Sequence, residues 1–170
     1  MSLPYERSCG MPHARLRVLL AIRFEHRLVQ CPTDMNYFRT LITVADDCPV
    51  TESVAPPDRG ANKTVASLQH AMLADSPYVY TQEDVLFLTW FERQNMPHMS
   101  EEDIAHLRDE FFAKPQACLR ASPLPKRYGW GLLFNEEGRV ALCPMDSKEY
   151  EALVAGDQVT LLKAMRTRRA

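Results

Sequence analysis

The stretch Trp130-Gly131-Leu132-Leu133-Phe134-Asn135-Glu136-Glu137-Gly138-Arg139-Val140-Ala141-Leu142 decides the fold. Trp130, Leu132 and Phe134 recur at every second position, as do Val140 and Leu142, and a period of two belongs to strands. Between them Asn135-Glu136-Glu137-Gly138 ends in the residue that best tolerates positive φ. That predicts a type I turn closed by a left-handed glycine. Strands joined this closely pair antiparallel, so the hairpin commits the chain to a sheet with an antiparallel core.

Working outward, Ser147 is expected to cap a short helix through Tyr150, Leu153 and Val154 that Gly156 ends. Residues 159–165 then read as a last strand. On the other side of the hairpin, residues 118–121 read as a short strand. Ser100 followed by Glu101, Glu102 and Asp103 starts a helix, with Ile104, Leu107 and Phe111 as its buried stripe and Pro115 as its stop. The Phe, Trp and Thr content of residues 85–93 predicts a strand. Asn62 is expected to cap a helix on which Val65, Leu68 and Met72 share a face and which Pro77 ends. Pro49, Pro56, Pro57 and Gly60 mark a long loop. Residues 37–45 alternate, with Phe38, Ile42 and Val44 on one face, and read as the first strand. The expectation is an α+β fold, a mainly antiparallel sheet of about five strands with three helices on its apolar face.

Composition bounds the class. The 170 residues are 46% hydrophobic and 25% charged, ordinary material for one globular domain. The longest early apolar run, Val18 to Ile22, is far shorter than a membrane span or a secretory h-region, so a cytoplasmic location is expected. Cys9, Cys31, Cys48, Cys118 and Cys143 are odd in number and widely spaced, with no C-x-x-C pair. Free thiols are expected, with no disulfide framework and no structural zinc site.

The net charge of −2 is uneven. Residues 1–34 carry +2 and the remainder −4. The acidic body argues against wholesale nucleic-acid binding. Residues 1–34 hold Pro4, Pro12 and Arg15 to Arg27 without a sustained period. They are expected to be a basic, loosely attached extension upstream of a natural start at Met35, with residues 35–170 as the single domain. A basic arm or targeting segment is the rival reading.

Several stretches carry a resemblance. They are Asn36-Tyr37-Phe38, Val44-Ala45-Asp46-Asp47-Cys48-Pro49-Val50, Cys118-Leu119-Arg120-Ala121-Ser122-Pro123-Leu124, Lys126-Arg127-Tyr128-Gly129-Trp130-Gly131 and Lys163-Ala164-Met165-Arg166. Together they resemble a bacterial family of small uncharacterised proteins, the domain of unknown function 6157 family, over about residues 35–170. The resemblance implies a bacterial single-domain protein of about this size and implies no activity.

The usual catalytic signatures are absent: no G-x-x-x-x-G-K-[ST], no G-x-G-x-x-G, no G-x-S-x-G and no H-E-x-x-H occurs. His98 and His106 flank a helix start and His70 lies on an amphipathic helix; none is expected to hold a metal. Arg120, Lys126, Arg127, Tyr128 and Trp130 form the first candidate constellation. Arginine forks suit phosphate or carboxylate, and Tyr and Trp offer stacking faces. Against this, Trp130 begins the apolar face of the hairpin and suits the core, and Lys126 and Arg127 suit a solvated turn. An extended Ser122-Pro123-Leu124-Pro125 segment would bring Arg120 and Arg127 to one side.

Asp46 and Asp47 form the second constellation. Adjacent carboxylates suit acid–base work or a pairing with Arg120 or Arg127, and equally suit a capped turn or an internal salt bridge. Cys118 lies two residues before Arg120, a cation able to favour a thiolate, although inert burial is the simpler fate. Lys163, Arg166, Arg168 and Arg169 make a basic tail, solvated or directed at an acidic partner. The leading expectation is a small intracellular binding domain with no cofactor. It would recognise an anionic ligand (a nucleotide, a nucleic-acid segment or an acidic partner) through Arg120, Lys126, Arg127 and Tyr128. The alternatives are a small enzyme with Asp46 and Asp47 facing those arginines across a cleft, and a structural or interaction protein with no small ligand. The position of the acidic pair relative to the deepest pocket separates them.

Overall fold

The computed structural model describes residues 35–60, 63–96 and 99–167. The expected N-terminal extension, with Cys9 and Cys31, lies outside them, as do Asn62, His98, Arg168 and Arg169.

The hairpin forms as its sequence predicts. Strand β2 (Trp130–Phe134) pairs antiparallel with β3 (Val140–Pro144), Phe134 opposite Val140. Gly138 takes φ +72°, and the Asn135 side-chain oxygen accepts from the N–H groups of Glu137 at 3.1 Å and Arg139 at 2.8 Å. On its other side β2 pairs antiparallel with β1 (Thr40–Thr43), Leu132 opposite Ile42. Strand β4 (Thr160–Lys163) adds to the far side of β1, giving the order β3-β2-β1-β4.

This register puts Ile42, Leu132, Phe134 and Val140 on one face, all at most 1% exposed. Helix α1 (Val65–Asp75) packs on β3 over that face, beside α2 (Gln82–Gln94). The core holds Leu68, Met72 and Leu73 of α1 and Val85 and Phe87 of α2, with Leu119 and Leu124. Helix α3 (Glu101–Phe112) starts at its Ser100 cap, where the hydroxyl accepts from the Asp103 N–H at 3.1 Å, and buries no residue fully. Its Phe111 ring meets Trp90 at 5.1 Å and Phe87 at 5.8 Å. Arg108 of α3 pairs with Asp84 at 2.9 Å and Glu83 at 3.6 Å.

The opposite face of the sheet carries Gly131 and Cys143. A Cβ on Gly131 would lie 2.9 Å from the Tyr150 ring, so glycine there lets that ring lie flush on β2. Tyr150 belongs to α5 (Lys148–Ala155), capped at Ser147 and closed at Gly156 as expected. Its hydroxyl accepts from the Val44 N–H at 3.0 Å.

The class, α+β, is as expected, and the detail differs. The sheet has four strands and is mixed, and five α-helices accompany it among the described residues. Residues 85–93 lie in α2, where a strand was expected. Thr81 and Asp84 form a reciprocal capping box, and Phe87, Trp90 and Phe91 at helical spacing make one aromatic stripe. The cap overrides the β-propensity of the aromatic residues. Residues 119–121 form a 3-10 turn instead of a strand. β4 runs parallel to β1, because α5 carries the chain across one sheet face from edge to edge. Thr64, not Asn62, caps α1. Phe38, expected on the buried face of the first strand, is 48% exposed, since β1 begins only at Thr40.

Candidate functional site

Ser122-Pro123-Leu124-Pro125 is not extended. It opens the short helix α4 (Pro123–Arg127) with Pro123 at the first helical position. The first-turn N–H groups of a helix have no internal acceptor, so the two prolines forfeit nothing there. Ser122 accepts from the Leu124 N–H at 3.2 Å and donates to Gln69 of α1 at 2.7 Å. Leu124 and Pro125 are buried, which turns Lys126, Arg127 and Tyr128 outward at the end of α4.

Past Tyr128 the chain is clamped to the proline-rich loop. The Val54 N–H donates to the Tyr128 carbonyl at 3.0 Å, the Ser53 hydroxyl to the Gly129 carbonyl at 2.7 Å, and the Trp130 indole N–H to the Val54 carbonyl at 2.8 Å. Gly129 sits at φ +73°, and a Cβ there would lie 2.7 Å from the Glu52 carbonyl oxygen. Both its conformation and its surroundings demand glycine. This clamp holds the loop bearing Pro57 and Arg59 beside α4.

Between them opens a pocket of about 530 Å³. Its wall carries Arg59, Lys63, Arg93, Lys126, Arg127 and Tyr128, with Val65 and Ala66 from the first turn of α1 and, among the described residues, no Asp or Glu. None of the five cations takes part in an ion pair or donates a side-chain hydrogen bond among the described residues. Thr64 and Ser67 satisfy each other at the start of α1, which leaves the N–H groups of Val65 and Ala66 without a described acceptor. The first turns of α2, α3 and α5 all carry acidic residues, whereas that of α1 carries none. Lys63 sits just before the α1 cap instead, at the positive end of the helix dipole.

The pocket gathers Lys126, Arg127 and Tyr128 of the first sequence constellation and leaves out its other two members. Arg120, in the 3-10 turn, donates from Nε to the Lys163 carbonyl at 2.9 Å and accepts from the Met165 N–H at 2.9 Å. It fastens the end of β4 and the segment that follows it, and it does not line the pocket with Arg127. Trp130, bonded to Val54, packs edge-on against His70 with ring centroids 4.9 Å apart. Burial lowers the His70 pKa and so favours the neutral imidazole.

Asp46 and Asp47 hold the C-terminal segment. Asp46 pairs with Lys163 and, at 3.4 Å, with Arg166, and Asp47 accepts from the Thr167 N–H at 2.8 Å. The hydrogen bond from Lys163 is the main cause that holds the Asp46 carboxyl below the usual range. Both carboxylates are therefore engaged at the C-terminal segment, and Asp46 pairs with neither Arg120 nor Arg127. Cys118 is half-buried beside Tyr37, whose hydroxyl is pushed up to about 12 by burial first and by its hydrogen bond with Cys118 second. Cys143 is buried and its thiol is pushed up to about 11, which keeps it protonated. Among the described residues no group of three or more His, Cys, Asp or Glu side chains is placed to hold a metal ion.

Arg59, Lys63 and Arg93 were not legible as site residues. They lie in the loop before α1 and at the end of α2, far in sequence from Lys126. Lys63 ahead of a helix start with no acidic residue was the one available signal.

Fold and pocket together define a small α+β protein with a surface pocket whose described charged lining residues are all cationic, and no described helix is long and apolar enough to cross a membrane. The chain matches the family of unknown function DUF6157 over residues 32–170 and belongs to it. No curated protein and no solved structure matches.

Proposed function

We propose that this chain is a small intracellular binding domain for an anionic ligand, held in the pocket between α4 and the first turn of α1. The observation that carries the reading is five cations on one pocket wall that have no ion-pair partner and no neighbouring carboxylate in the wall among the described residues. Like charges repel, so such a cluster lowers the stability of the empty protein unless something else requires it. Phosphate or carboxylate oxygens would accept from guanidinium forks, from lysine ammonium groups and from the Val65 and Ala66 N–H groups at a helix N-terminus. Tyr128 adds a hydroxyl and a ring face. The enzyme reading needed Asp46 and Asp47 at this pocket; with those carboxylates engaged at the C-terminal segment, binding is the better supported function. Free Cys48, Cys118 and Cys143 agree with a reducing compartment.

The test is a thermal-shift series with sulfate, phosphate and citrate at matched ionic strength. An anion at a hundredfold its Kd stabilises by about 2.7 kcal/mol, a shift of several degrees for a chain of this size. Lys126→Ala with Arg127→Ala should abolish the shift while the ligand-free melting temperature holds or rises. A double variant that melts much lower without ligand would mean the two residues are structural and would remove the reading.

A further inference from the structure

We infer that the ligand is a small organic molecule carrying at least two phosphate groups, a diphosphate ester or a bisphosphate; the inference rests on the anion-binding reading above. Charge is the first argument. Arg59, Lys63, Arg93, Lys126 and Arg127 converge from the loop before α1, the end of α2 and the end of α4. A single phosphate carries about two negative charges at neutral pH. Seated on the Val65 and Ala66 N–H groups, it would leave most of the pocket's positive charge without a counterpart. A second phosphate brings the ligand close to the charge of its wall.

Size is the second. About 530 Å³ lies within the roughly 300–1,000 Å³ of pockets that hold whole small-molecule ligands, and one inorganic anion would leave most of it to water. Pro57, Pro123, Val65 and Ala121 give the wall an apolar portion suited to the organic part, and Tyr128 offers a face for a flat ring.

Placement separates this ligand from a nucleic-acid strand. A strand needs cations along a track. Here they line one pocket, the chain as a whole carries −2, and the described cations of the C-terminal segment, Lys163 and Arg166, are engaged by Asp46.

The experiment is calorimetric titration of the full chain at constant ionic strength with inorganic phosphate, pyrophosphate, tripolyphosphate, adenosine diphosphate and oligothymidylates of increasing length. Pyrophosphate should bind at least tenfold tighter than phosphate, and adenosine diphosphate at least as tightly as pyrophosphate. Arg93→Ala should weaken pyrophosphate severalfold, and Lys163→Ala should leave it unchanged. Equal affinities for phosphate and pyrophosphate would overturn the ligand class while the anion site stands. Affinity that keeps rising with oligothymidylate length would overturn it in favour of a strand. No binding by any probe would overturn both readings. Circular dichroism and the ligand-free melting temperature of Arg93→Ala, matched to the parent chain, ensure that a lost response is not lost folding.

Discussion

Two groups of cations on this molecule have opposite fates. Lys163 and Arg166 follow the β4 edge and meet Asp46, which the first strand delivers to them. Arg59, Lys63, Arg93, Lys126 and Arg127 line a pocket with no acidic partner among the described residues. Both groups are basic; Lys126, Arg127, Lys163 and Arg166 lie in segments that carry the family resemblance, and Arg59, Lys63 and Arg93 do not. The difference is that one set is paired within the chain and the other has no partner among the described residues. Satisfied surface pairs contribute little and report on chain anchoring. Like charges that the fold holds together without a described partner repel one another, and the proposed anion site rests on them.

The largest effect should come from breaking the scaffold that separates the two groups. Gly129→Val forces a β-branched side chain into φ +73° and towards the Glu52 carbonyl. It should destabilise by about 3 kcal/mol or more, read as the urea midpoint, and release the Arg59 loop from α4. Gly138→Val is the control on the far end of the hairpin. Its Cβ would lie 2.9 Å from the movable Phe38 ring, so the loss should be smaller, about 1–3 kcal/mol from the strained turn. An anion response that survives Gly138→Val and disappears with Gly129→Val, measured where both remain folded, would tie the pocket to the clamp.

Next in size, neutralising the pocket should sharpen the contrast. Arg127→Ala should leave the ligand-free melting temperature equal or slightly raised, because repulsion is relieved. Raising salt should erase that gain. A clear fall in melting temperature would show that Arg127 has a structural partner.

The smallest effects belong to the paired group. Asp46→Asn should shift the melting temperature near the limit of resolution and leave anion binding intact. Its pH dependence has a fixed sign. The folded Asp46 pKa is lowered, so its contribution is present above the ordinary carboxylate range near 4 and is lost as pH falls through the folded value. Asp46→Asn should therefore be closest to the parent chain at acid pH and furthest from it near neutrality. The reverse trend in pH-resolved melting curves would remove the pair from the account.

Local chemistry made much of this molecule legible from sequence. The alternation in residues 130–142 and the Asn135–Gly138 turn fixed the hairpin, and the caps at Ser100 and Ser147 fixed two helices, since each depends on neighbours a few residues away. Lys126, Arg127 and Tyr128 stood out because they crowd into one short stretch. What failed was competition between local signals, as at residues 85–93, where the Thr81–Asp84 capping box outweighed aromatic strand preference. The parallel β4 and the destination of every charge were decided only by tertiary structure. Asp46 lies over a hundred residues from Lys163 and Arg166, and Arg59 and Arg93 reach Lys126 only after α1, α2 and α4 pack together. Residue type sets what a charge can bind. Whether it finds its partner within the chain or keeps its charge for another molecule depends on long-range packing that no local pattern encodes.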